Sequence, residues 1–231
     1  MTSRKIEYWV IPPEADGEFV AHMEEVLETD AKPYDPTRPV LGRDEQPVQL
    51  LKETRVPIPA TRRHPKRVDY EYERAGTANI FMFAEPLAGG REVAVRETKT
   101  KVDWAIERAS LLEGRYAAAD RVVVVCDNRN THTKGAFSES FAPARARPLV
   151  RRIEFCYTPK HGSWLNIAEN ELSCLTSQCV AGRRFGDVAT LREEATAWSC
   201  DLNSIQRGVD WQMKIDDARC KLKSVYPKIK L

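Results

Sequence analysis

RVVVVCD, residues 121–127, contains four valines in a row, followed by a cysteine and an aspartate. β-Branched residues are poor helix formers and favour strands. An apolar run without polar alternation is typical of a strand that is buried on both faces. We therefore predict that this run is an interior strand of an α/β sheet and that Asp127 lies at its carboxyl end.

Strand and helix patterns alternate on both sides of this run. Strand-like stretches are found at residues 40–44, 48–51, 69–74, 78–84, 91–97 and 152–157. Helix-like spacing of apolar residues is found at residues 19–27, 101–118, 134–147, 164–180 and 188–207, and Asp16 is a candidate N-cap for the first of these helices. The turn signal at residues 87–90 (LAGG) predicts a hairpin. This order predicts an α/β fold, a mixed sheet with helices packed on it.

Composition disfavours several classes of protein. The apolar share of 42% and the charged share of 30% are those of a folded globular chain rather than a disordered one. No apolar run approaches the ~20 residues that span a bilayer, so we expect no membrane segment. No glycine-rich loop follows a strand, which disfavours nucleotide-cofactor enzymes. The six cysteines form no C-x-x-C pair, and we expect no disulfide, no structural zinc and a cytoplasmic location.

Basic residues cluster locally although the net charge is only +2. The best candidate for phosphate contacts is a proline-containing loop with Arg62, Arg63, Lys66 and Arg67. Two further clusters occur later in the chain: Arg145, Arg147, Arg151 and Arg152, then Lys221, Lys223, Lys228 and Lys230. For each cluster the alternative interpretation is an ordinary solvated surface.

Three acids occupy positions where carboxylates can converge. Asp44 lies in the first strand-like stretch, Asp127 closes the valine strand, and Glu169 lies on the helix after the last strand. The carboxyl ends of parallel strands open at one edge of a sheet, and clustered carboxylates need a cation such as Mg²⁺ or Mn²⁺. Asp127 alone can be a turn or cap residue, and Glu45 is as plausible as Asp44. Glu169 and Glu171 flank the apolar stripe of their helix on opposite sides, so periodicity leaves that choice open.

Two motifs resemble those of a known family. Residues 125–133 (VCDNRNTHT) match D-N-x-N-T-H-T, and residues 154–169 (EFCYTPKHGSWLNIAE) match Y-T-P-K-H-G-S-W-L-N-x-x-E. Both motifs closely resemble those of the IS630 family of bacterial insertion-sequence transposases, in the IS630/Tc1/mariner superfamily. Residues 44–50 (DEQPVQL) look like that family's first-aspartate segment. The resemblance extends from about residue 8 to the end of the chain.

The resemblance implies an RNase H-like fold with a catalytic and metal-binding triad of Asp44, Asp127 and Glu169. It selects Glu169 because the family's glutamate follows L-N-x-x. It implies Mg²⁺ or Mn²⁺, as two ions, and DNA as the partner, with cleavage and strand transfer at insertion-sequence ends and target. A homodimer on DNA is expected by analogy. We predict a helix and linker over residues 1–38, the catalytic domain over residues 39–210 and a basic tail over residues 211–231.

Five residues next to the triad receive supporting roles from the resemblance. Asn128 and His132 are expected to orient the second metal ligand or a water bound there. Lys160 and His161 are expected to contact a scissile or flanking phosphate, and Asn166 to brace Glu169. For each of the five, a purely structural role in a loop or a helix cap is the alternative.

The chain also departs from the family pattern. Members usually carry an N-terminal helix-turn-helix region, for which there is no room before Glu14. Residues 41–43 (LGR) are less apolar than a buried strand, and Arg129 replaces an apolar residue. These departures favour a truncated copy or half of a split gene. The alternatives to a transposase are therefore a catalytically inactive DNA-binding remnant and an RNase H-like nuclease.

Overall fold

A computed structural model describes residues 11–12, 14–128 and 133–228. Its sheet contains β1 (Val40–Glu53), β2 (Tyr72–Glu85), β3 (Gly90–Arg96), β4 (Val122–Asp127) and β5 (Ile153–Thr158), in the order β3-β2-β1-β4-β5. β1, β2 and β3 pair antiparallel, whereas β4 pairs parallel with both β1 and β5. The helices are α1 (Gly17–Asp30), α2 (Lys101–Glu113), α3 (Gly135–Ser140), α4 (Pro143–Arg152), α5 (Ile167–Leu175), α6 (Val188–Ser204) and α7 (Ile215–Lys221). The predicted fold class, a mixed α/β sheet flanked by helices, is confirmed.

The valine run is buried on both faces, as its composition predicts. Val122, Val124 and Cys126 pack in a core cluster with residues of α2, α3 and α4. Val123 and Val125 point to the opposite face, where they pack with residues of α1 and α7. Successive strand residues point to opposite faces, so an all-valine strand fits a sheet that is covered on both sides. None of the helices in the described part of the chain has the length and apolar character needed to cross a bilayer.

β1 is one long strand rather than the two short stretches that the sequence pattern indicates. Its pairing with β4 ends at Gly42, whereas its pairing with β2 continues through Pro47. Proline lacks a backbone N–H and is tolerated where a strand has lost one neighbour. Arg43 is compatible with burial because it forms an ion pair with Glu45 and lies 5.5 Å from the centre of the Phe81 ring.

Two predicted helices are interrupted in the structure. The stretch predicted as one helix over residues 134–147 is divided into α3 and α4, and Pro143 occupies the first turn of α4, where proline is tolerated. The helix predicted over residues 164–180 begins instead with a short 3₁₀ turn, Ser163–Leu165. α5 then starts at Ile167 because Asn166 caps it, and a π turn, Thr176–Val180, follows its end.

The first and last parts of the described chain pack together. α1 has the predicted cap: the Asp16 carboxylate accepts hydrogen bonds from the N–H groups of Glu18 and Phe19 at 3.0 and 3.1 Å. The Glu24 carboxylate accepts from Arg219 and from the Tyr226 hydroxyl, both at 2.9 Å. Residues beyond 210, predicted as a basic tail, therefore include a helix that holds α1 on the sheet.

Asp30 gives a pH-dependent prediction for stability. Burial raises the pKa of Asp30 from 3.8 to about 7, and its negative charge at the last residue of α1 opposes the helix dipole. A folded-state pKa above the unfolded value means that stability is lost as pH rises between these values. We expect Asp30→Asn to raise Tm at pH 8 by about 2–4 °C, equivalent to about 1 kcal/mol. The gain should disappear near pH 4; an equal gain at both pH values in thermal unfolding would contradict this explanation.

Candidate active site

The sheet brings Asp44 and Asp127 to one edge. Gly42 and Val125 form the last parallel pair between β1 and β4, and each acid lies two residues further along its strand. The two carboxylates therefore emerge at the same level, where the neighbouring strands separate. The predicted position of Asp44 at a strand end is wrong, since β1 continues to Glu53, but the two acids still converge because the parallel pairing with β4 stops before Asp44.

The N-terminus of α5 approaches β1 closely enough to bring Glu169, in its first turn, to the same edge. A Cβ atom at Gly42 would lie 2.4 Å from the Ile167 methyl carbon Cγ2 and 3.1 Å from the Ala168 nitrogen. The Asn166 Nδ2 group donates to the Arg43 carbonyl at 2.8 Å, and its Oδ1 accepts from the Ala168 N–H at 3.2 Å. Asn166 thus caps α5 and ties it to the residue before Asp44.

The electrostatics of Asp44 show that the three acids are neighbours. Burial is the largest cause that raises the pKa of Asp44, which reaches about 7. The Glu45 N–H donates to the Asp44 carboxylate at 2.7 Å and opposes this shift. The negative charges of Glu169 and Asp127 both raise the pKa further, and Glu169 is within hydrogen-bonding reach. Repulsion among carboxylates of this kind is relieved by a cation or by a proton.

The metal-binding potential of this edge lies in its chemistry rather than in a preformed arrangement. Among the residues that the structure describes, no group of three or more His, Cys, Asp or Glu side chains is arranged to hold a metal ion. The donor chemistry nevertheless fits a hard divalent cation, because Asp44, Asp127 and Glu169 offer carboxylate oxygens. The shared charge of the three acids is what such an ion neutralises.

Glu171, the alternative that periodicity left open, is engaged elsewhere. Its carboxylate accepts from Arg91 Nε at 2.5 Å and from Arg91 Nη2 at 2.7 Å, and both side chains are buried. Glu169 is exposed and lies toward Asp44. The metal-ligand roles of the three acids remain predictions, but Glu171 is not available for such a role.

A cleft of about 520 Å³ extends from Asp127. Three of the predicted supporting residues, Asn128, Lys160 and His161, line it. Asn166 is buried at the start of α5, and His132 lies outside the described residues. Sequence analysis missed the other lining residues, most of them on α1 or in the loop after β5: Asp16, Glu18, Phe19, His22, Thr158, Pro159 and Ser163. No sequence signal places α1 beside the site, since its apolar spacing shows only that it packs somewhere.

The loop between β5 and α5 is tightly turned. His161 has a φ of 64°, in the left-handed region that non-glycine residues rarely adopt. A Cβ atom at Gly162 would lie 2.4 Å from Pro159 Cγ, so only glycine fits there without movement. The Gly162 N–H donates to the Pro159 carbonyl at 2.8 Å. Such local strain is often found where a loop presents side chains to a ligand.

The predicted DNA-binding loop is remote from the acids. Arg62, Arg63, Lys66 and Arg67 are exposed in the connection between β1 and β2. From Asp44 to the end of β1 at Glu53, the strand extends for ~30 Å at ~3.3 Å per residue. None of the four residues lines the cleft beside Asp127, and the connection leaves the sheet at the end of β1 farther from Asp44.

Comparison with known proteins identifies the family. Residues 39–192, well over half of the chain, match the model for the DDE superfamily endonuclease domain. No curated protein matches the chain in sequence. The fold is similar to a Mos1 mariner paired-end complex with Mn, with a TM-score of 0.54 and 15% identity over 90% of this chain and 63% of that one. It is also similar to the Mos1 strand transfer complex, with a TM-score of 0.55 and 14% identity over 89% and 62% of the two chains.

A Mos1 paired-end complex with Mg has a TM-score of 0.55 and 15% identity over 99% of this chain and 69% of that one. At this level of identity the likeness shows the fold alone, and it agrees with the RNase H-like α/β architecture. The chain spans less than two thirds of the length of the first Mos1 structures. Together, the sheet-edge acids and the matched domain lead to one conclusion: the chain belongs to the DDE superfamily endonucleases.

Proposed function

We propose that this chain is the catalytic domain of a DDE transposase of the IS630 family, which cuts and rejoins DNA with a divalent metal. The observation that carries the proposal is the convergence on Asp44 of the charges of Glu169 and Asp127. The motifs D-N-x-N-T-H-T and Y-T-P-K-H-G-S-W-L-N-x-x-E predict Asp127 and Glu169 as catalytic acids, and residues 44–50 (DEQPVQL) predict Asp44. The catalytic unit is proposed to lie within residues 39–210, with α1 forming one wall of its cleft.

Asp44, Asp127 and Glu169 would hold Mg²⁺ or Mn²⁺, as two ions. When bound, such a pair activates a water or a 3′-hydroxyl and stabilises the leaving oxygen of the phosphodiester. The chain's own contribution is to hold three oxygen ligands on rigid elements. β1 and β4 set the positions of the two aspartates, and Asn166 anchors the helix that carries Glu169.

Lys160 and His161 are proposed to bind phosphate oxygens of the strand that is cut. Both line the cleft beside Asp127, and the turned backbone of the loop presents them to solvent. Asn128 is exposed at the end of β4 and is proposed to orient a water or a ligand oxygen. His22, on the α1 side of the same cleft, is a further contact for the strand.

The proposed partners are the ends of the insertion sequence and the target DNA, with two copies of the chain on the paired ends. The complexes of the similar Mos1 structures, a paired-end complex and a strand transfer complex, support this assignment. A second possibility, an inactive DNA-binding remnant, is favoured by the absence of a preformed metal arrangement among the described residues.

Metal titration and cleavage distinguish these possibilities. Mn²⁺ binding to an active domain should increase the free energy of unfolding by RT ln(1 + [L]/Kd) and so raise Tm. An inactive remnant should show no Tm shift with Mn²⁺. A DNA duplex that carries the element's terminal repeat should be nicked with Mg²⁺ or Mn²⁺ and not with EDTA. Preference for an RNA–DNA hybrid over this duplex would instead assign the chain as an RNase H-like nuclease.

The basic loop gives a separate prediction for DNA affinity. Replacing Arg62, Arg63, Lys66 and Arg67 together by alanine should weaken DNA binding without changing Tm, because all four side chains are exposed. The slope of log K against log salt should fall by ~0.9 for each phosphate that the loop no longer neutralises. Alanine at Lys214, Lys221, Lys223 and Lys228, four exposed lysines near the other end of the chain, is the matched control. Equal weakening of DNA binding in both variants, measured by fluorescence anisotropy, would show that the loop has no special role.

A further inference from the structure

The buried ion pair between Arg91 and Glu171 fixes α5 from the side opposite the acids. Arg91 on β3 is 3% exposed and Glu171 on α5 is 6% exposed. The two nitrogens Nε and Nη2 bind the two carboxylate oxygens at 2.5 and 2.7 Å, a bidentate contact. A bidentate contact fixes orientation as well as distance, because two parallel hydrogen bonds resist rotation about either one.

Arg91 is itself held by several further hydrogen bonds. Its Nη1 donates to the Gly89 carbonyl at 3.1 Å and its Nη2 to the Arg207 carbonyl at 2.9 Å. The Asn203 amide both accepts from the Arg91 N–H and donates to the Arg91 carbonyl, each at 2.8 Å. Arg91 is therefore a fixed point: its backbone binds Asn203 of α6, and its guanidinium binds Glu171 of α5 and the Gly89 and Arg207 carbonyls.

Glu171 and Glu169 lie two residues apart on α5, which places them about 200° apart around the helix axis. A rotation of α5 that moved Glu171 away from Arg91 would swing Glu169 away from Asp44. Asn166 fixes the start of the helix through the Arg43 carbonyl, and Ala168, Leu172 and Leu175 pack against the sheet. The Arg91 contact adds a directional restraint on rotation about the helix axis.

We infer that Arg91 and Glu171 are positioning residues, which set the rotation of α5 and so direct Glu169 toward Asp44 and Asp127. This inference rests on the proposed function, because it assigns Glu169 to the metal-binding site. Stability alone is a weak explanation for the pair, since buried ion pairs can often be replaced by apolar residues without loss of stability. If the pair instead orients α5, replacing both residues by apolar ones should preserve stability but not the position of Glu169 in the metal-binding site.

The test compares single and double replacements. Glu171→Gln and Arg91→Met each leave one buried charge without its counter-charge, and we expect each variant to lose stability for that reason alone. The double variant Arg91→Met with Glu171→Met removes both charges and keeps unbranched side chains in the same space. Tyr116→Phe is the matched control, because it removes a buried 3.0 Å hydrogen bond to Glu85 on the opposite face of the sheet, where α2 packs and α5 does not.

Two quantities are measured for each variant, Tm without metal and the affinity for Mn²⁺ by electron paramagnetic resonance. We expect the double variant to recover most of the Tm lost in the single variants; the remaining loss is that of the Gly89 and Arg207 carbonyls, which no longer accept from Arg91. We expect it to bind Mn²⁺ about 10- to 100-fold more weakly than the parent protein. Tyr116→Phe should lower Tm and leave Mn²⁺ affinity unchanged.

Unchanged Mn²⁺ affinity in the double variant would overturn the inference, as would an affinity that follows Tm in all variants. Mn²⁺ binding and DNA nicking by the parent protein show whether a failure concerns this inference or the proposed function. If it binds Mn²⁺ but does not nick DNA, the transposase assignment fails while the comparison of affinities still decides the inference. If it does not bind Mn²⁺, both are wrong.

Discussion

Asp127→Asn is expected to remove metal-dependent nicking while leaving the fold intact. Loss of an outer partner of a metal ligand typically costs 10- to 100-fold, so loss of a ligand itself should exceed about 100-fold. The substitution preserves shape at the end of β4. It also removes a negative charge that raises the pKa of Asp44, so Tm without metal should stay the same or rise.

The combination of results makes this prediction specific. A variant that is merely destabilised would lose activity and have a lower Tm, whereas loss of a metal ligand removes activity and leaves Tm unchanged or higher. The Tm increase produced by Mn²⁺ in the parent protein should be absent or much smaller in Asp127→Asn. Nicking at the parental rate, measured on a supercoiled plasmid that carries the terminal repeat, would show that Asp127 is only a turn residue.

Gly42→Ala is expected to have the second large effect, on both stability and the site. The new methyl group would lie 2.4 Å from the Ile167 methyl carbon and 3.1 Å from the Ala168 nitrogen, so the start of α5 must move away from β1. Overpacking of this kind typically costs about 1–3 kcal/mol. Displacement of α5 also separates Glu169 from Asp44, and the Mn²⁺-dependent rise in Tm should be lost.

Gly17→Ala is the matched control for this substitution. A Cβ atom there would meet only Pro227 Cγ at 3.8 Å, an ordinary contact, in the first residue of α1. Its Tm and its response to Mn²⁺ should remain close to those of the parent protein. A Gly42→Ala variant that retains both properties would show that the close approach of α5 to β1 does not position Glu169.

The sequence predicts the sheet better than it predicts how the helices end. The valine run of β4 identifies an interior strand because only a sheet covered on both faces accommodates it, and α1 follows from regular apolar spacing with Asp16 as its cap. Helix ends depend on single residues within longer helical patterns. Pro143 and Asn166 begin new helices at positions where the apolar pattern continues, so the pattern alone predicts one helix in each place.

The site is harder to predict because its members come together through tertiary contacts. Periodicity cannot choose between Glu169 and Glu171, since both flank the same stripe; the structure shows that Glu171 pairs with Arg91, from a strand that precedes it by 80 residues. The position of α1 beside the cleft depends on contacts with the C-terminal segment, such as Glu24 with Arg219. No local pattern encodes a contact of that separation.

Anomalous diffraction from crystals soaked in Mn²⁺ shows directly whether the three acids hold a metal ion. We expect a peak between Asp44, Asp127 and Glu169, with carboxylate oxygens from all three at about 2.0–2.2 Å, close to the distances of other small hard divalent ions. A saturating soak that gives no peak there, or a peak held by other residues, would contradict the assignment of these three acids as the metal site.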